Sequence, residues 1–140
     1  MKINQKKAVI FDLDGTLVDS AADIVATVKY IIEKYGFEPK SDTFIRSCIG
    51  GGARNVLLKS LGEDKEVLID SEILPLFKKY YEENCAVYTS LYPGVKEILD
   101  HYQKMGRPMA LATYKIRSAT EKIMKALAFD QYFDYLVTAD

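Results

Sequence analysis

The stretch Ala8-Val9-Ile10-Phe11-Asp12-Leu13-Asp14-Gly15-Thr16 sets a short apolar run against two carboxylates two positions apart. A run of this length, bounded by a turn signal, reads as a buried strand of a parallel sheet that opens into a loop at its carboxyl end. In an open α/β sheet ligands bind at that end, so acids placed there face a site rather than a core. Alternation along an extended chain sends Asp12 and Asp14 to one side and turns Leu13 back into apolar surroundings. Asp-Gly alone is a common turn, but a turn needs only one Asp. Two like charges so close repel each other; a divalent cation between them removes that cost, and hard oxygen ligands suit Mg²⁺. Gly15 lets the chain turn sharply beside a ligand, while Thr16 offers an anion its hydroxyl and backbone N–H. One carboxylate of such a pair can act as a nucleophile and the other as general acid and then base.

Outward from this loop the pattern is helical. Ser20-Ala21-Ala22-Asp23 has the form of a capping box with Ser20 as N-cap. Ile24, Val28, Ile31, Ile32 and Tyr35 then recur at helical spacing up to Gly36, which predicts a helix over 21–35. Ser41 caps a shorter helix through Cys48, a third runs over 53–61 to Gly62, and a fourth over 65–86 is kinked or broken at Pro75. Residues 18–86 thus read as an almost wholly helical insert. Beyond it come a turn at Leu91-Tyr92-Pro93-Gly94 and a helix over 95–105. A strand at Pro108–Thr113, a helix over 116–127 and a strand at Tyr135–Thr138 follow. Strand, helix, strand, helix, strand is the order of a parallel α/β sheet with right-handed crossovers. The expected division is a core of 1–17 with 87–140 and a helical cap of 18–86.

Composition narrows the function classes. The chain has 140 residues, 49% hydrophobic and 28% charged, which is enough to bury one ordinary core. A formal net charge of −1 gives no support to a nucleic acid or an anionic membrane as the main partner. The basic stretch Met1 to Lys7 precedes an apolar run too short for a signal peptide or a membrane span, so a cytoplasmic location is expected. Cys48 and Cys85 have no metal-type spacing and read as ordinary thiols of a reducing compartment. His101, the single histidine, lies on a helix away from the acid loop, so no histidine chemistry is expected.

Two further segments can carry chemistry. Thr113 ends the apolar run Ala110-Leu111-Ala112, and in a parallel sheet its hydroxyl emerges at the same edge as Asp12; Tyr114 and Lys115 follow, the lysine being a candidate partner for an anion. In the insert, Gly50-Gly51-Gly52 would let backbone approach a ligand around Gly51, and the planar fork of Arg54 suits a carboxylate. A plain interhelical loop with a surface arginine is an equal reading of that segment.

Phe11-Asp12-Leu13-Asp14-Gly15-Thr16-Leu17-Val18-Asp19-Ser20 resembles the opening signature of the haloacid dehalogenase superfamily, especially its phosphoglycolate phosphatase-like members. The resemblance implies a Rossmann-like, doubly wound parallel sheet with a helical cap inserted after the first strand. It implies that Asp12 attacks phosphorus to give an aspartyl phosphate, and that Asp14 protonates the leaving oxygen and then activates water. Asp12 and Asp14 would hold Mg²⁺, while Gly15, Thr16 and Thr113 with its neighbours Tyr114 and Lys115 would face the phosphate. Gly51 and Arg54 would read the rest of a small phosphorylated metabolite. A phosphosugar mutase or phosphonate hydrolase of the same superfamily is the alternative. Tyr114 departs from the asparagine that often follows this threonine, which touches substrate contacts rather than the reaction. The superfamily also uses a later lysine and a later acidic pair, and no segment before Asp140 matches either. The expectation is therefore a front portion completed by a carboxyl-terminal segment, a second copy, or a truncated domain that only binds phosphate or a partner.

Overall fold

A computed structural model describes residues 7–140; the stretch Met1 to Lys6, on which the leader reading above rests, lies outside the described residues. In chain order the elements are β1 (Val9–Phe11), β2 (Val18–Asp19), α1 (Ala21–Tyr35), α2 (Asp42–Ser47), α3 (Ala53–Leu61), α4 (Glu66–Leu68) and α5 (Leu74–Asn84). There follow β3 (Ser90–Leu91), α6 (Val95–Lys104), β4 (Met109–Ala112), α7 (Arg117–Ala126) and β5 (Tyr135–Val137). They form two compact units: the chain up to Asp19 together with Ser90–Asp140, and Ser20–Thr89. Both boundaries lie a little later than the sequence suggests. The reason is a strand pair with no sequence signal, β2 against β3, antiparallel with Val18 opposite Leu91. Each strand is two residues long, too short to show a period, and the pair keeps 18–19 and 90–91 in the core unit rather than the helical one.

The core unit is a Rossmann-like α/β half. Its parallel sheet has the order β1-β4-β5, with Phe11 beside Leu111 and Leu111 beside Leu136. Both steps run in the same direction, so right-handed crossovers put α6 and α7 on one face. That face is the core: Met109, Leu111, Leu99 of α6, Ile123 of α7 and Phe129 are buried, and Phe11 packs edge-on against Tyr102 and Phe133. Alternation sends the other set of side chains to the opposite face. There Ile10, Tyr135 and Val137 are 71%, 68% and 61% exposed. Among the described residues no helix covers that face, and β1 has no neighbour on its outer edge.

The helical unit follows the predicted elements with two differences. Ser20 does not cap α1 through its side chain: its backbone lies at φ −104°, ψ 3° rather than extended. The other half of a capping box is also missing, because Asp23 turns to residues 88 and 89. Its carboxylate, 2% exposed, accepts the amides of Tyr88 (2.9 and 3.1 Å) and Thr89 (2.9 Å) and the Thr89 hydroxyl (2.7 Å). The second difference is the long fourth helix, which is resolved into a 3₁₀ turn at Glu63–Lys65, α4, a π turn at Ile69–Ile73 and α5. Pro75 lies in the first turn of α5, where it has no N–H to give the preceding turn; widening that turn accommodates the ring. Ser41 caps α2 as predicted, accepting the Phe44 amide at 3.1 Å, and Gly36 closes α1 at φ 65°.

Candidate active site

The acid loop is built around one buried residue. Leu13 is wholly buried, and its carbonyl accepts the amides of Thr16, Leu17 and Val18 at 3.2, 2.9 and 3.1 Å. The Gly15 amide closes back on the Val18 carbonyl at 3.0 Å, with Gly15 at φ 75°, a conformation that costs other residues energy. This winding holds Asp12 and Asp14 outward while Leu13 anchors the turn. It also changes one expectation: the Gly15 and Thr16 amides are engaged inside the loop, which leaves only the hydroxyl of Thr16 for the expected anion contact. Asp12 Oδ1 accepts the Leu13 amide at 2.8 Å, which fixes the carboxylate's orientation.

The register of β1 on β4 brings a second loop to the same sheet edge. With Phe11 beside Leu111, Asp12 and Thr113 both leave the sheet at its carboxyl end. The Thr113 amide donates to the Val137 carbonyl (3.0 Å), and its hydroxyl accepts the Lys115 amide (3.1 Å), leaving the O–H proton to donate. Tyr114 is 77% exposed, whereas Lys115 is drawn in. The Lys115 side chain is only 7% exposed, and Nζ lies 3.3 Å from Asp14 Oδ1. No local pattern marks this ion pair, since its two members are separated by most of the chain.

Gly51 and Arg54 belong to the helical unit. Gly50, Gly51 and Gly52 all have positive φ, and Asn55 Nδ2 of the side chain donates to the Gly50 carbonyl at 2.7 Å. A Cβ on Gly51 would fall 2.8 Å from Asn55 Nδ2, so this position requires glycine to keep that clamp. Arg54 is not a lone surface cation. Its Nε and Nη2 donate to the Asp70 carboxylate at 2.7 and 2.9 Å, and Nη2 also donates to Glu66 Oε1 at 2.6 Å. These bonds raise the guanidinium's pKa still further and hold the Asp70 carboxyl below the usual carboxylate range.

The family model for haloacid dehalogenase-like hydrolases matches residues 9–140, from the first residue of β1 onward. The chain belongs to that family. A phosphoglycolate phosphatase of Aquifex aeolicus is 35% identical over 96% of this chain and 61% of its own length. An N-acetylmuramic acid 6-phosphate phosphatase of Pseudomonas aeruginosa is 33% identical over 100% of this chain and 62% of its own. The crystal structure of a "predicted phosphoglycolate phosphatase" from Haemophilus somnus superimposes with a TM-score of 0.83 at 27% identity, covering 99% of this chain and 64% of that one. This haloacid dehalogenase-like chain thus spans about three fifths of the length of the relatives it matches.

Family members imply a metal, and the donors of this chain can be tested against one. Mg²⁺ is commonly held by one or two carboxylates, with waters and substrate oxygens completing an octahedron. Asp12 is exposed and the Asp14 side chain is 29% exposed, so both reach solvent and supply two hard oxygen donors. Among the described residues no group of three or more His, Cys, Asp or Glu could hold an ion. The donor set therefore fits Mg²⁺ as a water-rich, two-carboxylate site and does not fit a closed cage of protein ligands. Among the same residues no helix is long and apolar enough to cross a membrane.

Proposed function

We propose that this chain carries the nucleophile and proton-transfer half of a phosphomonoester hydrolase acting on small phosphorylated metabolites. The observation that supports this best is the pairing of Asp12 and Asp14 with Thr113 and Lys115 at one carboxyl edge of a parallel sheet. An Asp12 carboxylate oxygen attacks phosphorus, and the bond from phosphorus to the ester oxygen breaks. Asp14, protonated, gives its proton to that departing oxygen, so the alcohol leaves neutral and Asp12 carries an aspartyl phosphate. Water then attacks the phosphorus, Asp14 takes its proton, and phosphate leaves with Asp12 regenerated. Mg²⁺ held by Asp12 and Asp14 would supply charge neutralisation between the anionic nucleophile and the anionic substrate. The Thr113 and Thr16 hydroxyls donate to phosphate oxygens, and Lys115 adds a positive charge.

The substrate class follows from chemistry shared by the two relatives named above, whose names give each a phosphate carried on an organic acid. Arg54 is the residue suited to such a carboxylate, which would take the place of Asp70 or Glu66 on the guanidinium fork. Phosphoglycolate is accordingly the first substrate to try. The test is Mg²⁺-dependent phosphate release from a panel of phosphorylated acids and sugars, by the parent chain and by Asp12→Asn. Loss of at least 10³-fold is expected for Asp12→Asn, as for removal of a covalent nucleophile. Release that survives this substitution overturns the assignment of Asp12.

The uncovered sheet face supports a second element of the reading, a complementing segment. Parallel sheets are covered on both faces, and an open apolar edge is a liability. A segment that supplies a strand beside β1 and a helix over Ile10, Tyr135 and Val137 would meet both needs, and would bring further cations or acids to the same edge. Phosphate release that rises when the carboxyl-terminal part of a relative is added in trans would bear this out, and an Ile10→Asp variant should abolish the rise.

A further inference from the structure

We propose that Glu66 is a resident stand-in for a substrate carboxylate on Arg54, and that Asp70 positions the arginine for the exchange; the inference rests on the reading that Arg54 meets that carboxylate. The two acids use the guanidinium differently. Asp70 takes its side edge with both oxygens, Oδ1 accepting from Nε at 2.7 Å and Oδ2 from Nη2 at 2.9 Å. That two-point bond fixes the plane of the group and the direction of its outer edge. Glu66 takes the remaining Nη2 proton with a single oxygen, Oε1 at 2.6 Å. Among the described residues Nη1 has no hydrogen-bond partner, so half of the outer edge is held by Glu66 and the other half is open.

A carboxylate that binds arginine with both oxygens needs two N–H groups side by side, and Nη1 with Nη2 is the pair that remains once Asp70 is seated. Only Glu66 stands in its way. The backbone supports the same division of roles, because Asp70 lies in the π turn Ile69–Ile73, whose first and last residues are wholly buried. Its place is set by core packing. Glu66 begins the three-residue α4 beside Val67, which is 83% exposed, and its own side chain is 55% exposed. Exposed pairs of this kind shift an equilibrium by only about two- to fivefold, so Glu66 can leave readily. The exchange keeps a counter-charge on Arg54 throughout. A neutral hydroxyl gains less from the fork than Glu66 does, so a phosphorylated sugar would leave Glu66 in place, and the stand-in thereby sharpens the preference for acids.

The test compares phosphoglycolate with glycerol phosphate, which carries the phosphate but no carboxylate, in titrations of the full chain followed by nuclear magnetic resonance. In Glu66→Gln the ratio of the two affinities should shift toward phosphoglycolate by about two- to fivefold, and Glu66→Ala should act in the same direction. The gain should vanish when Arg54→Gln is combined with Glu66→Gln, which separates release of the fork from the general benefit of one acid fewer. Asp70→Asn, which loosens the guanidinium, should shift the ratio the other way, and an unchanged ratio there overturns the positioning role. A gain that persists without Arg54 overturns the stand-in role alone, as does an unshifted ratio in both Glu66 variants where Arg54→Gln lowers it. A ratio indifferent to Arg54→Gln, in the parent and in Glu66→Gln alike, overturns the carboxylate reading of Arg54 and the stand-in with it.

Discussion

At Arg54 the chemistry of one side chain is set by neighbours that its own segment does not reveal. A glycine-rich loop ahead of an arginine reads equally as a ligand reader and as a surface turn, and sequence periodicity has no means of naming Asp70 and Glu66 as partners. The pairing carries a pH signature. The folded-state pKa of Asp70 is depressed, chiefly by the hydrogen bonds from Arg54, so its stabilising contribution is full above the unfolded value near 3.9 and is lost as pH falls through the lower folded value. Urea unfolding between pH 7 and pH 2.5 should therefore show a steeper acid loss for the parent chain than for Asp70→Asn. Curves of equal slope would remove the pair from the account of acid stability. Gly51 gives a second residue-scale expectation. With φ at 73° and Asn55 Nδ2 in the way of a Cβ, Gly51→Ala should cost about 1–2 kcal/mol in the same unfolding assay.

At the scale of elements, helices with strong periods were legible and their joints were not. Helix α1 occupies the predicted residues because Val28, Ile31 and Ile32 mark one buried stripe and Gly36 supplies the left-handed close. Its start went differently, since the carboxylate that could have completed a capping box is engaged by residues 88 and 89 instead. Asp23 thereby ties the first turn of the helical unit to its last residues. Truncating it leaves two amides and a hydroxyl without their charged acceptor, and Asp23→Ala should lower stability by about 3 kcal/mol. Hydrogen exchange at the Tyr88 and Thr89 amides should accelerate in the same variant, well beyond the change at amides of β1 and β4. Uniform acceleration throughout the chain would show instead a general loss of stability. The π turn before Pro75 belongs at this scale too: the proline announced a kink or break, and the structure has a widened turn there in which Ile69 and Ile73 are both buried.

For the whole molecule, the asymmetry of the sheet is the main energetic fact. Leu111 lies on the covered face and Ile10 on the bare one, although both are apolar residues in the middle of parallel strands. Leu111→Ala should cost about 2–5 kcal/mol, as for a close-packed core leucine, whereas Ile10→Thr should change stability by less than about 0.5 kcal/mol. Thermal or urea unfolding of the two variants checks the contrast. A large cost at Ile10 would mean that the face is covered in solution, by a second copy or by another segment.

Sequence was enough for the strand-loop-helix opening, the helical insert and the parallel alternation that follows, because periodicity and the placement of glycine are local quantities. Tertiary structure alone decided that Lys115 faces Asp14, that Arg54 is engaged by two acids, that Asp23 fastens residues 88 and 89, and that one sheet face stays open. Each of these depends on strand register or on packing between segments far apart in the chain. A residue's own neighbours in sequence fix which element it joins, but the charge it meets across a sheet edge is fixed by where another element has come to rest.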